Sequence, residues 1–148
     1  MEIVLPPDFK EFLKQLNEKK IKYLLIGGYA VGYHGYPRAT NDLDIFISRD
    51  NETAKLMVSA LKDFGFDTPQ LSEELFLKEK NIVRMGIAPI RIEILNSISG
   101  VAFEDCYREK MIEEIDGIKV NIINLEHLKK NKKASGRHKD LDDIENLP

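Results

Sequence analysis

Apolar residues recur at helical spacing in two stretches of the chain, and each spacing predicts an amphipathic helix. The first helix is predicted from about residue 8 to residue 20, with Asp8 as its N-cap. The second is predicted in "NETAKLMVSALKDFGF", with Asn51 as its cap and Gly65 as its stop. Each helix would place one apolar face against a core.

Shorter apolar runs bounded by glycine or polar residues predict β-strands. "IKYLLIGG" and "DLDIFIS" each predict a buried strand, and "YAVGYHGY" between them predicts a short helix. The stretch from about 75 to 95 predicts two or three antiparallel strands, with "GIAP" as the turn between the last two. "IKVNII", which follows the "IDG" turn, predicts one more short strand.

Three further helices complete the predicted elements. One is predicted near residues 103 to 112, and two are split around Ser135 and Gly136. Helices and strands in this mixed order predict an α/β or α+β fold with a mixed sheet flanked by helices. We expect a single domain over residues 1–148, made of a core of about 20–125 and a C-terminal helical segment of about 124–147.

The composition indicates a globular protein. Of the 148 residues, 43% are hydrophobic and 32% are charged, and no apolar run reaches the roughly 20 residues that span a bilayer. "MEIVLPPDFKEF" lacks the basic region and apolar run of a secretory signal, and the single Cys106 excludes an intramolecular disulfide. We therefore expect a cytoplasmic protein with no membrane partner.

The net charge of −3 means that a polyanionic partner would have to be bound by a local basic patch. "HLKKNKKASGRHK", residues 127–139, carries lysines and an arginine with no acid among them. It is either a solvated helix end or a surface for phosphate, and Lys133 is our candidate for contact with a triphosphate. Lys139, Asp140 and Asp143 are expected to pair with one another or to fix the final helices.

Acidic residues interrupt two of the predicted strands. Because successive side chains of a strand point to opposite faces, Asp42 and Asp44 share one face of "DLDIFIS", and Glu93 emerges in the same way from "RIEIL". Three acids on one sheet face repel one another unless a cation lies between them. Mg²⁺ is the natural ion, because it prefers carboxylate oxygens and often completes its coordination with substrate phosphates.

Gly27 and Gly28 end the first predicted strand, and a spacer of thirteen residues separates Gly28 from the acid-x-acid pair. Glycine lets backbone amides approach a phosphate that a Cβ would hold away. A glycine pair alone is more often a tight turn, so its position between a strand and a helix is what favours a nucleotide site.

These motifs resemble those of the polymerase-β-like nucleotidyltransferase superfamily. "IGGYAVGYHGYPRATNDLDIFI" and "RIEIL" are similar to its Gly-Gly or Gly-Ser turn, its Asp-x-Asp strand and its third carboxylate. "ASGRHKDLDDIENL" is similar to the ending of many small stand-alone members from bacteria and archaea, including those of toxin-antitoxin and abortive-infection systems.

The resemblance implies a nucleotidyltransferase-like fold and a role for each matching residue. Gly27 and Gly28 would hold the triphosphate of an NTP, and Asp42, Asp44 and Glu93 would be the catalytic, metal-binding acids. Arg38 and Thr40 precede the acids as in "RxTxDxD" relatives, and both are predicted to bind the nucleotide. The cofactor would be Mg²⁺, as two ions, with Mn²⁺ as an alternative.

The leading hypothesis is an enzyme that moves an NMP group from an NTP to an acceptor hydroxyl and releases pyrophosphate. The acceptor could be an RNA end, a protein or a small molecule. The alternative is a non-catalytic module that binds a nucleotide or a partner chain, such as one component of a toxin-antitoxin pair. A metal-dependent phosphohydrolase is the third hypothesis, although the three histidines are scattered.

Overall fold

The computed structural model describes residues 3–87 and 90–148, which contain a six-stranded sheet and seven helices. The helices of this part of the chain are α1 Pro7–Glu18, α2 Gly27–Tyr33, α3 Asn51–Phe64, α4 Glu74–Leu77, α5 Phe103–Arg108, α6 Leu125–Ser135 and α7 His138–Asn146. Its strands are β1 Tyr23–Ile26, β2 Asp42–Ile47, β3 Ile82–Ile87, β4 Ile90–Leu95, β5 Met111–Ile115 and β6 Ile118–Ile122.

The sheet is mixed, as predicted. Its strand order is β3-β4-β2-β1-β6-β5. Strand β2 runs antiparallel to β1 and parallel to β4, while β6 runs parallel to β1. Both outer strands, β3 and β5, run antiparallel to their neighbours. The central pair, β1 and β2, is therefore the part of the sheet most shielded from water.

The core forms on the apolar positions that define the elements. All four residues of β1 are buried, and Leu43 and Ile45 of β2 are fully buried. Helix α1 buries its apolar face, which includes Phe9 and Leu16. Burial of this apolar surface is the main force that holds the central strands in place. It also fixes which side of β2 carries the acids.

The helix caps differ in detail from the prediction. Helix α1 has Pro6 at its N-cap without a side-chain hydrogen bond, so Asp8 lies in the first turn and does not cap the helix. Helix α3 is capped by Asp50, whose side chain accepts a hydrogen bond from the backbone N–H of Thr53. Asn51 is the first helical residue rather than the cap. Gly65 ends α3 in the left-handed conformation, as predicted.

Two segments have a secondary structure that differs from the prediction. Residues near 75 form the short helix α4 instead of a strand, and the two antiparallel strands that follow are β3 and β4. The helix expected over 103–112 ends at Arg108, because "MIEEI" pairs with β6 as the edge strand β5. In the "GIAP" turn, Ala88 and Pro89 lie outside the described residues.

The C-terminal helices α6 and α7 flank Gly136, as predicted, and Gly136 adopts the left-handed conformation that ends α6. The two helices pack against each other near the ends of β1 and β2. Within the ranges 3–87 and 90–148, no helix has the length and apolar character needed to cross a bilayer.

Candidate active site

The register of β2 and β4 brings the predicted acids together. Asp44 is paired with Glu93 across the two parallel strands, and Asp42 is paired with Arg91. Asp42 and Asp44 are partly accessible on one face of β2, whereas Leu43 between them is fully buried on the other. We call Asp42, Asp44 and Glu93 the acidic cluster.

Gly27 lies where β1 meets α2, directly beside the acidic cluster. Its neighbour Ile26 is paired with Asp44, and Gly27 has a φ of +70°. A Cβ at Gly27 would overlap the Asp44 carboxylate. Glycine is therefore required here both by the left-handed backbone and by the space that this carboxylate occupies.

Gly28 is required for a different contact. A Cβ at Gly28 would overlap the Thr40 hydroxyl, and it would come 3.4 Å from one terminal nitrogen of Arg38. The first turn of α2 and the loop before β2 are thus in close contact. The glycine pair makes room for side chains of this chain, in addition to any substrate it receives.

Arginines contact two members of the acidic cluster. Arg91 donates a hydrogen bond of 2.9 Å to Asp42 Oδ2, and Arg84 donates one of 3.1 Å to Glu93 Oε1. Arg91 Nε lies 3.7 Å from the same Glu93 oxygen and has no hydrogen-bond partner among the described residues. These contacts offset part of the negative charge, and they leave Asp44 without an arginine partner among the ion pairs of the described residues.

The surroundings of Asp44 strongly shift its pKa. Burial, the charge and hydrogen bond of Glu93, and the charge of Asp42 together raise the pKa of Asp44 to about 7, while Lys132 opposes the shift. A carboxyl group with so high a pKa binds a proton where an ordinary Asp would be ionised. Such perturbed acids are frequent at functional sites.

A second set of charges lies beside the acidic cluster and is well compensated. Lys132 of α6 is 5% exposed, and its Nζ lies 3.3 Å from Asp140 Oδ1 and 3.0 Å from Asp143 Oδ2. Both aspartates belong to α7 and are fully buried. Burial alone would raise their pKa values, but hydrogen bonds from Arg137 to Asp140 and from Arg38 to Asp143, together with Lys132, lower the pKa of each.

Two arginines complete this second set. Arg38 donates to both oxygens of Asp143, at 2.8 and 3.0 Å, from the loop before β2. Arg137 donates to Asp140 at 2.8 Å from its position at the start of α7. We call Arg38, Lys132, Arg137, Asp140 and Asp143 the C-terminal ion network.

The acidic cluster and the network's cations open onto one cleft of about 760 Å³. Within the described part of the chain, three acidic side chains line it, and they are those of the acidic cluster. Six cationic side chains also line it: Arg38, Lys80, Arg84, Lys132, Arg137 and Lys139. Although the whole chain carries a net charge of −3, the cleft has an excess of positive charge that suits a polyphosphate.

Most of the predicted site residues line this cleft: Gly27, Gly28, Arg38, Asp42, Asp44 and Glu93. Thr40 lies behind Gly28 and lines an adjoining pocket of about 520 Å³, together with Tyr29 and Tyr33. Lys133 is exposed and lies outside the residues that line the cleft. The structure does not bring Lys133 to the other predicted residues.

Lys132 is the cleft residue that sequence reasoning missed. One residue along an α-helix corresponds to a rotation of about 100°, so Lys132 faces inward while Lys133 faces solvent. Lys132 follows the buried Leu128 by four residues, which places both on one face of α6. That i,i+4 relation was the available signal, and it was hidden by the run of lysines around it.

The acidic cluster fits a divalent cation in its chemistry and in part of its geometry. Carboxylates on neighbouring strands provide the oxygen ligands that Mg²⁺ prefers, and an ion beside Asp44 and Glu93 would relieve the repulsion that raises the pKa of Asp44. Among the described residues, no group of three acidic, His or Cys side chains is arranged to hold an ion directly. Asp42 would have to turn away from Arg91 to contribute.

Solved structures with a similar fold span nearly all of the chain. A protein of Thermotoga maritima described as a nucleotidyltransferase has a TM-score of 0.64 at 18% identity, over 96% of this chain and 93% of that one. The lincosamide antibiotic adenylyltransferase LnuA, bound to lincomycin, has a TM-score of 0.63 at 16% identity, over 97% of this chain and 96% of that one. Comparison with curated proteins finds no significant match.

The mixed sheet, with the glycine turn and the acids on β2 and β4, has the fold of these solved nucleotidyltransferase structures. The chain belongs to the family described as "Nucleotidyl transferase of unknown function (DUF2204)", whose profile matches residues 7–148. The predicted superfamily and fold class are thereby confirmed, and the protein is an enzyme of the nucleotidyltransferase type.

Proposed function

We propose that this protein transfers an NMP group from an NTP to an acceptor hydroxyl, with release of pyrophosphate and in dependence on Mg²⁺. The observation that carries the proposal is the juxtaposition of the acidic cluster with a cationic wall in one cleft. Acids alone would repel a triphosphate, and cations alone would bind one without activating it. Both requirements of phosphoryl transfer, positioning and charge stabilisation, are supported by this arrangement.

The cationic wall would bind the triphosphate. Arg38, Lys132 and Arg137 line the cleft near Gly27 and Gly28, and charged donors form the stronger hydrogen bonds to phosphate oxygens. In this assignment Lys132 replaces Lys133, because only Lys132 lines the cleft. Thr40 would act indirectly, by holding the first turn of α2 through its contact at Gly28.

The acidic cluster would hold the metal. Asp44 and Glu93 would provide the first oxygen ligands, and Asp42 would join them after leaving Arg91. When bound, Mg²⁺, as two ions, or Mn²⁺ would lower the pKa of the acceptor hydroxyl and neutralise charge on the leaving group. Arg91 would then be free to pair with a substrate phosphate.

The reaction would proceed by one displacement at the α-phosphorus. The acceptor oxygen forms a bond to that phosphorus, and the bond from the α-phosphorus to the oxygen bridging it to the β-phosphate breaks. Pyrophosphate leaves with the electron pair of the broken bond. The acceptor proton passes to a carboxylate of the acidic cluster, for which Glu93 is our candidate, and from there to solvent.

The choice of acceptor is the open part of the proposal. LnuA is an adenylyltransferase for lincosamide antibiotics, so a chain of this size and fold can act on a small molecule. For the present protein an RNA end, a protein and a small molecule are all candidates. A cognate toxin or antitoxin partner stays a prediction from the sequence resemblance alone.

The proposal is tested by label transfer from each α-labelled NTP with Mg²⁺, using total RNA, cell protein and small-molecule acceptors. Asp44→Asn should reduce transfer by at least about a hundredfold, since a ligand to the reacting centre is lost. Asp67→Asn is the matched control, because Asp67 is exposed and outside the cleft. Full activity of Asp44→Asn would reject the assigned site.

A further inference from the structure

Two carboxylates of the C-terminal ion network, Asp140 and Asp143, reach the cleft only through their partners, and Asp143 is the one whose partners come from distant parts of the chain. Asp143 is fully buried and is not among the residues that line the cleft, yet its two partners Arg38 and Lys132 both line it. We propose that Asp143 is a positioning residue that joins Arg38 and Lys132 into one rigid binding unit for the triphosphate. This inference rests on the proposed NTP-dependent function.

The contact with Arg38 fixes a guanidinium that belongs to a loop. Arg38 Nε and one terminal nitrogen bind the two oxygens of Asp143, which is the bidentate geometry that holds the guanidinium in one plane. The other terminal nitrogen lies next to Gly28, and its one hydrogen bond within the described part of the chain is a 3.5 Å bond to the carbonyl of Ala39. This nitrogen therefore lies close to the start of α2, where the triphosphate is proposed to bind.

The contact with Lys132 leaves a donor available as well. A lysine ammonium has three N–H donors, and two of those on Lys132 face Asp140 and Asp143. The same ammonium group lowers the pKa of Asp44, so its charge reaches the acidic cluster. Lys132 can therefore keep both aspartates and still donate to a phosphate in the cleft.

A role in packing alone does not account for this arrangement. Burying an ion pair is costly, and apolar residues of similar size often stabilise a fold as well or better. Asp143 also connects parts of the chain that are distant in sequence, since Arg38 precedes it by 105 residues. A single carboxylate shared by two cleft-lining cations is what a fixed spacing between two phosphate contacts requires.

The experiment compares Asp143→Asn with Asp142→Asn, its exposed neighbour on α7. Asparagine cannot keep the bidentate contact, because one end of its amide is a donor and would face an N–H of Arg38 in either orientation. We measure the dissociation constants of an NTP and of the matching NMP, together with thermal stability. For Asp143→Asn, NTP affinity should fall by about tenfold to a hundredfold, the loss of one or two charged contacts, while NMP affinity changes by less than about threefold.

Three results would overturn the inference. In the first, Asp143→Asn folds and binds NTP as tightly as the wild type. In the second, Asp143→Asn loses NTP and NMP affinity equally and is also less stable. In the third, the wild type itself binds no NTP. If Asp143→Asn fails to fold, Arg38→Lys takes its place, because lysine keeps the charge but cannot bind both carboxylate oxygens. It should also weaken NTP binding selectively, and unchanged binding would reject the role of Asp143.

The binding measurement separates this inference from the proposed function. If the wild type binds NTP but transfers no label to any acceptor, the proposed function is wrong. The NTP and NMP affinities of Asp143→Asn would then still test whether Asp143 positions Arg38 and Lys132. If the wild type transfers label and Asp143→Asn retains its NTP affinity, the function stands and the inference fails.

Discussion

The acidic cluster and the C-terminal ion network both hold carboxylates away from water, but the pKa values of these carboxylates move in opposite directions. In the acidic cluster, burial and neighbouring acids raise the pKa of Asp44 to about 7. In the network, Arg38 and Lys132 hold the pKa of Asp143 below its ordinary value despite complete burial. The network is therefore compensated within the fold, whereas the acidic cluster retains an unfavourable charge that a cation could relieve.

The largest expected effect is the pH dependence of stability without divalent metal. Because folded Asp44 keeps its proton while the unfolded chain releases it, the free energy of unfolding should fall as the pH rises from about 4 to 7, by up to about 4 kcal/mol. Asp44→Asn should remove this fall and stabilise the metal-free protein at pH 8. Urea unfolding at pH 5 and pH 8 with a chelator measures it, and identical pH profiles for the two proteins would contradict it.

Below about pH 4, the free energy of unfolding should depend on the C-terminal ion network. The lowered pKa of Asp143 contributes stability that is present above about pH 4 and is lost as the pH falls below that value. Asp44→Asn should leave this dependence unchanged.

The next effect is the loss of a compensated charge. Asp140→Asn should lower the free energy of unfolding by about 3 kcal/mol, because it leaves Lys132 and Arg137 with one fewer buried partner. Asp105→Asn is the matched control, since Asp105 pairs with Arg108 at the same i,i+3 spacing on the surface. That exposed pair should contribute less than about 1 kcal/mol. Equal losses for the two variants would show that burial does not distinguish them.

A third comparison uses two of the three glycines of α2, Gly27 and Gly32, whose surroundings differ. Gly27→Ala should destabilise the protein by about 2 kcal/mol, since it needs a left-handed backbone and overlaps Asp44. Gly32→Ala has open space around its added Cβ and should stabilise the helix by up to about 1 kcal/mol. Thermal unfolding measures the change in stability for each variant. Changes of the same sign in the two variants would contradict this prediction.

The smallest expected effect is that of Lys133→Ala, which we compare with a change at the adjacent Lys132. Lys133→Ala should change stability by less than about 0.5 kcal/mol and leave NTP affinity within about twofold, because its side chain is exposed outside the cleft. Lys132→Met removes a charge that the network and the cleft share, so it should weaken NTP binding by more than tenfold. A larger effect for Lys133→Ala than for Lys132→Met would reverse the assignment.

Sequence reasoning succeeded where the deciding interactions are local. Alternation along β2 was sufficient to predict that Asp42 and Asp44 share a face, and the phase of α3 predicted its end at Gly65. The sheet and the nucleotidyltransferase fold followed from these elements and from the resemblance.

The remaining features depend on contacts between distant segments. The pairing of Arg91 with Asp42 depends on the register of β2 against β4, which neither strand encodes alone. The first two residues of β5, Met111 and Ile112, were predicted to end a helix, because the pairing with β6 that makes "MIEEI" a strand depends on a separate segment. Lys132 was missed because a run of lysines conceals which one follows the buried face of α6.

The bond between Arg38 and Asp143 also orders events during protein synthesis. The glycine turn and the three acids of the acidic cluster lie within the first 93 residues of the sequence, so they leave the ribosome before residue 143 does. Arg38 acquires its carboxylate partner only once residue 143 has emerged. A nascent chain would therefore carry the acids of the cluster before it could fix Arg38, and the proposed triphosphate site would be complete only after residue 143 has emerged.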